Sequence, residues 1–289
     1  MLAAYEPATP LDYQNAAREI VQEIALLGLW RSGFFKDAAF YGGSALRLFY
    51  GLRRYSEDLD FTLLTSDSKL RLAFVLTGLE SELSAWGFSF EATEKSAGDR
   101  TGIESAFLKG NTQINLLSIG APEQLAARMP RNQKLRVKLE LDICPPAGAM
   151  TEVKSQLLPT PYQVRSYDLP SLYAGKLHAL LCRGWKTRVK GRDFYDLVWY
   201  VARNVRVNLA HLEARMVQSG HWTGGALSVP VLRQLLVERF NGIDLKQAVA
   251  EVEPFLEDRR ETKLWSAAFF CDLAARVEAS PRDPETPLY

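Results

Sequence analysis

Two aspartates two residues apart, Asp58 and Asp60, stand in a stretch from Ser56 to Leu64 whose intervening positions are Leu59, Phe61 and Leu63. Such alternation reads as a β-strand with an apolar face and an acidic one, its carboxylates roughly 6–7 Å apart along the chain. Hard divalent cations such as Mg²⁺ take oxygen ligands of this kind. Phosphoryl and nucleotidyl transfer use such ions to neutralise a triphosphate and to stabilise charge on the attacking and leaving oxygens. Upstream, Phe40-Tyr41-Gly42-Gly43-Ser44 leads into a glycine turn, and Ala45 to Tyr50 reads as the start of a helix. A turn feeding a helix N-terminus presents backbone N–H groups to phosphate, with Gly43 and Ser44 as the candidate nucleotide-binding residues.

A third carboxylate is available on the strand Leu135 to Ile143. Leu135, Val137, Leu139, Leu141 and Ile143 face one way; Arg136, Lys138, Glu140 and Asp142 face the other. Glu140 and Asp142 share that polar face, so parity does not separate them as the supporting acid. The same four residues would equally make a salt-bridged face. Further on, Lys176 and Arg183 lie on one face of a helix whose leucines supply a core stripe. Seventeen residues beyond Lys176 stands Asp193, within Lys190-Gly-Arg-Asp-Phe-Tyr-Asp-Leu197, where Asp193 and Asp196 share a helix face. A cationic face opposite a carboxylate cluster suits a bound triphosphate.

The elements that must position these residues form two groups. Thr9 with Pro10 starts an amphipathic helix that runs to near Gly28, and Lys69 to Trp86 is a second helix. β-like stretches lie at Phe88–Thr93, Ile103–Lys109, Thr112–Ser118 and Tyr162–Ser166. From Asp168, which caps a helix with Pro170 in its first turn, the pattern is almost wholly helical. The expected architecture is α+β and bilobed: a mixed-sheet domain over residues 1–168, then a helical domain over 169–289, with the active site in the cleft between them. The prolines of Ser280 to Tyr289 read as a frayed tail.

Composition narrows the class. The 289 residues carry 35 Lys and Arg against 34 Asp and Glu, so bulk charge favours neither nucleic acid nor membrane. Three widely spaced cysteines exclude a disulfide scaffold and suit a reducing compartment. With neither a leader nor a spanning segment read in the sequence, a soluble, cytoplasmic protein is expected, and a monomer is the expected state. Charge is nonetheless clustered. Arg128, Arg131, Lys134, Arg136 and Lys138 fall within eleven residues, and Arg183, Lys186, Arg188, Lys190 and Arg192 within ten, neither interrupted by an acid. The second cluster includes Trp185, and a basic strip with an aromatic can hold a phosphodiester backbone and stack a base. His178, His211 and His221 are scattered and receive no role.

Gly43-Ser44, thirteen residues, then Asp58-x-Asp60 resembles the polymerase-β-type nucleotidyltransferase signature. Its surroundings, Tyr41 to Gly51 and Ser56 to Phe61, resemble the AbiEii/AbiGii toxin family, the MenT-like toxins among them. The strand Lys138-x-Glu140 and the pair Lys176-x-x-Ala-Leu and Lys190-Gly-Arg-Asp-x-Tyr-Asp-Leu are similar to further family motifs in the same order. The resemblance implies metal on Asp58 and Asp60 with Glu140 supporting, and Lys176 on phosphate. It also implies that Asp193 is required, either as a base toward the acceptor hydroxyl or to order the site. It implies a toxin paired with an antitoxin, adding NTP-derived nucleotides to the 3′ acceptor end of tRNA. Ser56 matches a serine at which some of these toxins are phosphorylated by a modifying antitoxin; its plain alternative is a strand-end cap. Two other readings stay open: a small-molecule nucleotidyltransferase acting on an antibiotic or metabolite, and an inactive nucleotide- or RNA-binding module.

Overall fold

The computed structural model describes residues 1–95, 102–184 and 189–281. By compactness the chain forms two units. One comprises Met1–Ala45, Tyr55–Pro145 and Glu152–Ser166; the other comprises Leu46–Arg54, Pro146–Thr151 and the chain from Tyr167 onward. Where the sequence suggests a single boundary near Asp168, the chain passes from one unit to the other at several points.

In the first unit, α1 (Pro10–Arg31) begins at a capping box. The Thr9 hydroxyl accepts from the Asp12 N–H at 3.2 Å, and the Asp12 carboxylate accepts from the Thr9 N–H at 2.7 Å. The helix buries Ile20, Val21, Ile24 and Leu27. It also carries Glu23 one turn after Glu19. Burial first, then the Glu19 carboxylate, push the Glu23 carboxyl from 4.5 to about 8, against the opposing pull of the chain's α-amino group. Between those values the folded chain binds more protons than the unfolded chain, so Glu23's contribution to stability falls as pH rises from about 4.5 to 8. Glu23→Gln is therefore expected to raise the urea midpoint more at pH 8 than at pH 5. An equal change at both pH values would refute it.

Seven strands form one sheet in the order β3-β4-β5-β2-β1-β7-β6. They are β1 (Ala38–Tyr41), β2 (Asp58–Leu63), β3 (Glu91–Lys95), β4 (Ile103–Asn111), β5 (Lys134–Asp142), β6 (Thr151–Gln156) and β7 (Tyr162–Tyr167). β2 runs parallel to β5 and antiparallel to β1, so the two acid-bearing strands are neighbours at the centre of the sheet. Leu59 pairs with Leu139 and Phe61 with Leu141, all four fully buried. Phe61 also meets Phe34 edge-on at 5.0 Å and Phe40 at 5.2 Å. Burying these rings fixes the hydrophobic face of β2, and a period of two then forces Asp58 and Asp60 onto the opposite face.

α2 (Gly42–Tyr50) follows β1, and α3 (Ala73–Ala85) packs on α1. One expected strand is a helix: Thr112–Ser118 forms α4. Asn111 caps it by accepting from the Ile114 N–H at 3.2 Å, and the buried face is Thr112, Asn115 and Leu116, a helical spacing. The β-like reading failed because two of the segment's apolar residues, Ile114 and Leu117, are exposed and belong to no sheet face. β6 was not apparent in the sequence; it is an edge strand of mainly polar residues.

Among the described residues the second unit is mainly helical and includes a two-residue pairing, β8 (Arg206–Val207) with β9 (Glu278–Ala279). α5 (Glu123–Ala126) closes the first unit's helices, and the second holds α6 (Leu169–Cys182), α7 (Gly191–Ala202), α8 (Leu209–Gln218), α9 (Val229–Asn241), α10 (Leu245–Val252) and α11 (Ala267–Ala275). The Asp168 carboxylate caps α6 by accepting from the Ser171 N–H at 2.9 Å. Tyr173 of α6 stacks on Tyr200 of α7 at 4.2 Å, and Phe194, Phe240 and Phe270 form an aromatic core. Gly191 begins α7 so close to α10 that any Cβ would overlap the Ala248 carbonyl, which explains the glycine of the Lys-Gly-Arg-Asp motif. All three cysteines are free thiols. No helix among the described residues is long and apolar enough to cross a membrane.

Candidate active site

The parallel register of β2 and β5 sets Asp58 abreast of Lys138 and Asp60 abreast of Glu140. Paired residues in a sheet point to the same side, so these four side chains form a quartet on the polar face with a formal charge of about −2. Lys138 Nζ lies 2.5 Å from Glu140 Oε1, and the Ser105 hydroxyl reaches the same oxygen at 3.5 Å. The register also separates the two acids that sequence parity left equal. Asp142 pairs with the buried Thr62, one step beyond Asp60, and its Oδ1 accepts from the Cys144 N–H at 2.9 Å.

The glycine turn serves this acidic face directly. Gly42 has φ +84°, and a Cβ there would overlap the Asp60 carboxylate. The turn therefore allows backbone to close against Asp60 in a way that only glycine permits. Gly43 and Ser44 are buried, and the Ser44 hydroxyl donates to the Asp58 carbonyl, tying the start of α2 to the acidic strand. Ser44 thus braces β2. Ser56 is half-buried, and its carbonyl accepts from Gln22 Nε2 at 3.2 Å. Gly42→Ala is expected to lose transfer activity and, through left-handed strain and displacement of Asp60, about 1–2 kcal/mol of stability. Unfolding curves beside activity assays would check it; an alanine variant with unchanged activity would refute it.

In the second unit, Lys176 and Asp193 are brought together within a larger network. Lys176 Nζ is 3.2 Å from Asp193 Oδ1 and 2.7 Å from Asp196 Oδ2. Arg183 holds Asp193 Oδ2 at 2.6 Å. Arg54 forms a bidentate pair with Asp196 at 2.7 and 2.6 Å, with side-chain exposures of 2% and 0%. Three cations thus share two carboxylates, leaving a net positive charge. Burial alone would raise the Asp193 carboxyl, but Lys176 and Arg183 outweigh it and hold the group below its ordinary value. Sequence reasoning singled out neither Arg54 nor the role of Asp196. Their partnership is long-range, and only the shared face of Asp193 and Asp196 hinted at it.

The proposed RNA-binding strip is less free than its sequence suggests. Lys186 and Arg188 lie outside the described residues. The Arg192 side chain is 15% exposed, with Nε 3.3 Å from Glu251 Oε1 and its guanidinium 4.2 Å over the Phe255 ring. That residue clamps α7 to α10 and to the segment just after it instead of facing solvent. Lys190 is half-buried; desolvation first, then Arg183, push its amine below the ordinary lysine value.

No three His, Cys, Asp or Glu side chains among the described residues are gathered as a ready-made metal cage. Mg²⁺ does not need one. It is commonly held by one or two carboxylates, with water and substrate phosphates completing its shell, and Asp58 and Asp60 fit that pattern.

The fold is that of nucleotidyltransferase-like proteins. It matches the crystal structure of JHP933 from Helicobacter pylori with a TM-score of 0.52 and 19% identity, over 91% of this chain and 90% of that one. It also matches a candidate nucleotidyltransferase from H. pylori with a TM-score of 0.51 and 18% identity, over 90% and 91%. Residues 24–271 match the family described as nucleotidyl transferase AbiEii toxin, type IV toxin–antitoxin system, and the chain belongs to that family. Membership implies a nucleoside triphosphate substrate and an antitoxin partner. No curated protein matches the sequence.

Proposed function

We propose that this protein is a cytoplasmic, Mg²⁺-dependent nucleotidyltransferase toxin that adds NTP-derived nucleotides to the 3′ acceptor end of tRNA and so blocks aminoacylation and translation. The observation that carries the reading is the quartet of Asp58, Asp60, Lys138 and Glu140 on one sheet face, with Gly42 closed against Asp60. Bound Mg²⁺ would neutralise triphosphate charge and stabilise the transition state. Asp58 and Asp60 supply its protein ligands. Glu140, held by Lys138, keeps the local potential negative. Main-chain N–H groups at the start of α2 hold phosphate.

The terminal hydroxyl of the acceptor attacks the α-phosphate in line and pyrophosphate leaves. Lys176 and Arg183 contribute the cationic surplus that binds phosphate. A carboxylate held below its ordinary pKa is a weak proton acceptor, and both Asp193 oxygens are engaged by cations. Asp193 therefore orders Lys176 and Arg183 and is not the base.

Incubation with each radiolabelled NTP and total tRNA tests this, comparing wild type with Asp60→Ala and Lys176→Ala. Label on RNA with wild type only is the expected result. No label on RNA under any condition would overturn it, and would leave the inactive binding module if NTP still binds. A second reading, transfer to a small molecule, is favoured by the commitment of Arg192 to Glu251 and Phe255. Lys186→Ala with Arg188→Ala should weaken transfer to tRNA and leave small-molecule transfer intact.

A further inference from the structure

β6 closes one edge of the seven-stranded sheet. Residues 157–161 alone join it to β7, a connection too short for parallel strands, so the two form an antiparallel hairpin. The Asp168 N–H donates to the Met150 carbonyl at 3.0 Å at the open end of this hairpin, which fixes its phase. Bonded pairs recur at every second residue, so Glu152, Lys154 and Gln156 turn their main-chain groups toward β7. Thr151, Val153 and Ser155 turn theirs to the open edge. The same phase sets Val153 abreast of Arg165 and Ser155 abreast of Gln163. Val153, Gln163 and Arg165 accordingly line one cavity of about 210 Å³ with Trp30, Phe35 and Lys36.

An open edge is a template for another strand, and proteins commonly blunt it with charge. Here the charges select one pairing instead. Val153 is 57% exposed and stands between Glu152 and Lys154, with Thr151 and Ser155 outside them. A two-fold axis through Val153 sets Glu152 of each copy opposite Lys154 of the other, and Thr151 opposite Ser155. The opposite charges then occupy non-hydrogen-bonded positions, where cross-strand side chains come closest. Centring the axis on Glu152 or Lys154 sets like charges opposite each other. Centring it on Thr151 or Ser155 removes both opposite-charge pairs. Within one copy Lys154 Nζ already lies 3.0 Å from Glu152 Oε2, so the joined strands gather alternating charges with no net excess.

We propose that β6 is a dimerisation edge whose partner is a second copy of this chain, paired antiparallel about Val153 so that one sheet runs through both copies. The contact is isologous, the same strand serving on both sides. Main-chain bonds from Thr151, Val153 and Ser155 supply the attraction, and the Glu152–Lys154 pairs set the register. One strand pair covers less surface than the roughly 1,200–2,000 Å² of a stable interface, so the dimer dissociates in the micromolar range. The monomer expected from the sequence is then the dilute state.

Sedimentation velocity of the full chain from about 1 to 200 μM tests this. Wild type should pass from monomer to dimer across that range. Val153→Pro removes an outward N–H and no bond to β7, so it should keep its thermal midpoint and stay monomeric throughout. Glu152→Lys and Lys154→Glu should each weaken association about tenfold or more by setting like charges opposite each other. Mixed in equal amounts, these two variants should associate as wild type does, because every opposed pair again has opposite signs. A local disturbance of β6 would not be cured by mixing. Asp60→Ala should dimerise as wild type does, so failure of the transfer assay leaves this result standing. A chain monomeric at every concentration, a dimer indifferent to Val153→Pro, or variants that mixing does not rescue would overturn the proposal. So would a monomer whose β6 is protected from hydrogen exchange only by its antitoxin, a result that gives the edge to that partner.

Discussion

Asp60→Asn should lower kcat/KM for nucleotide transfer by about 10²–10³-fold or more while leaving the protein at least as stable as wild type. The two halves of this expectation share one cause. Asp60 lies directly abreast of Glu140 in a parallel pair, with Asp58 two residues away on the same face. Like charges opposite each other across strands oppose folding by roughly 0.2–1 kcal/mol, here reduced by the Lys138 contact to Glu140. Asparagine keeps the shape that Gly42 is closed against, removes one charge of the quartet, and so relieves repulsion while discarding a cation ligand. A site that is electrostatically unfavourable in the absence of a cation and functional with one behaves in this way. Mg²⁺ should correspondingly raise the thermal midpoint of wild type more than that of Asp60→Asn. Loss of activity accompanied by a large loss of stability would instead mark Asp60 as structural and sink the assignment.

What could be read from the chain was set by how local the signal is. β2 and β5 announce themselves because a buried apolar face imposes strict alternation, and that alternation also delivers Asp58, Asp60 and Glu140 to one side. That Glu140, and not Asp142, lies abreast of Asp60 follows from the register, which no spacing within either strand contains. Gly42 looked like one more residue of a glycine turn; its positive φ and its closeness to Asp60 leave no room for a side chain there. Part of the basic strip has partners that the sequence does not display. The acids that hold Arg183 and Arg192, Asp193 and Glu251, stand 10 and 59 residues away, so the run of cations alone does not reveal them. The α4 segment shows a similar limit, since two exposed apolar residues can imitate a strand until the cap at Asn111 is seen.

Arg54→Met is expected to destabilise the second unit by about 3–5 kcal/mol, the cost typical of removing one partner from a buried ion pair. Both members are almost wholly inaccessible to solvent, and the guanidinium meets both carboxylate oxygens. Removing it leaves Asp196 facing Lys176 alone, in a place where water cannot compensate. Lys176 would then be the sole cation on Asp196, and the net charge of the network would fall from positive to neutral. Transfer should decline along with stability for that reason. The double variant Arg54→Met/Asp196→Asn separates the two effects. Neutralising the orphaned acid removes the buried charge, so urea denaturation should show at least half of the lost stability restored, a coupling that simple loss of packing does not predict. Transfer should recover as well, because the network regains its positive surplus. Strictly additive losses in the double variant would show that Arg54 acts through packing alone, and that the cationic surplus around Lys176 does not depend on it.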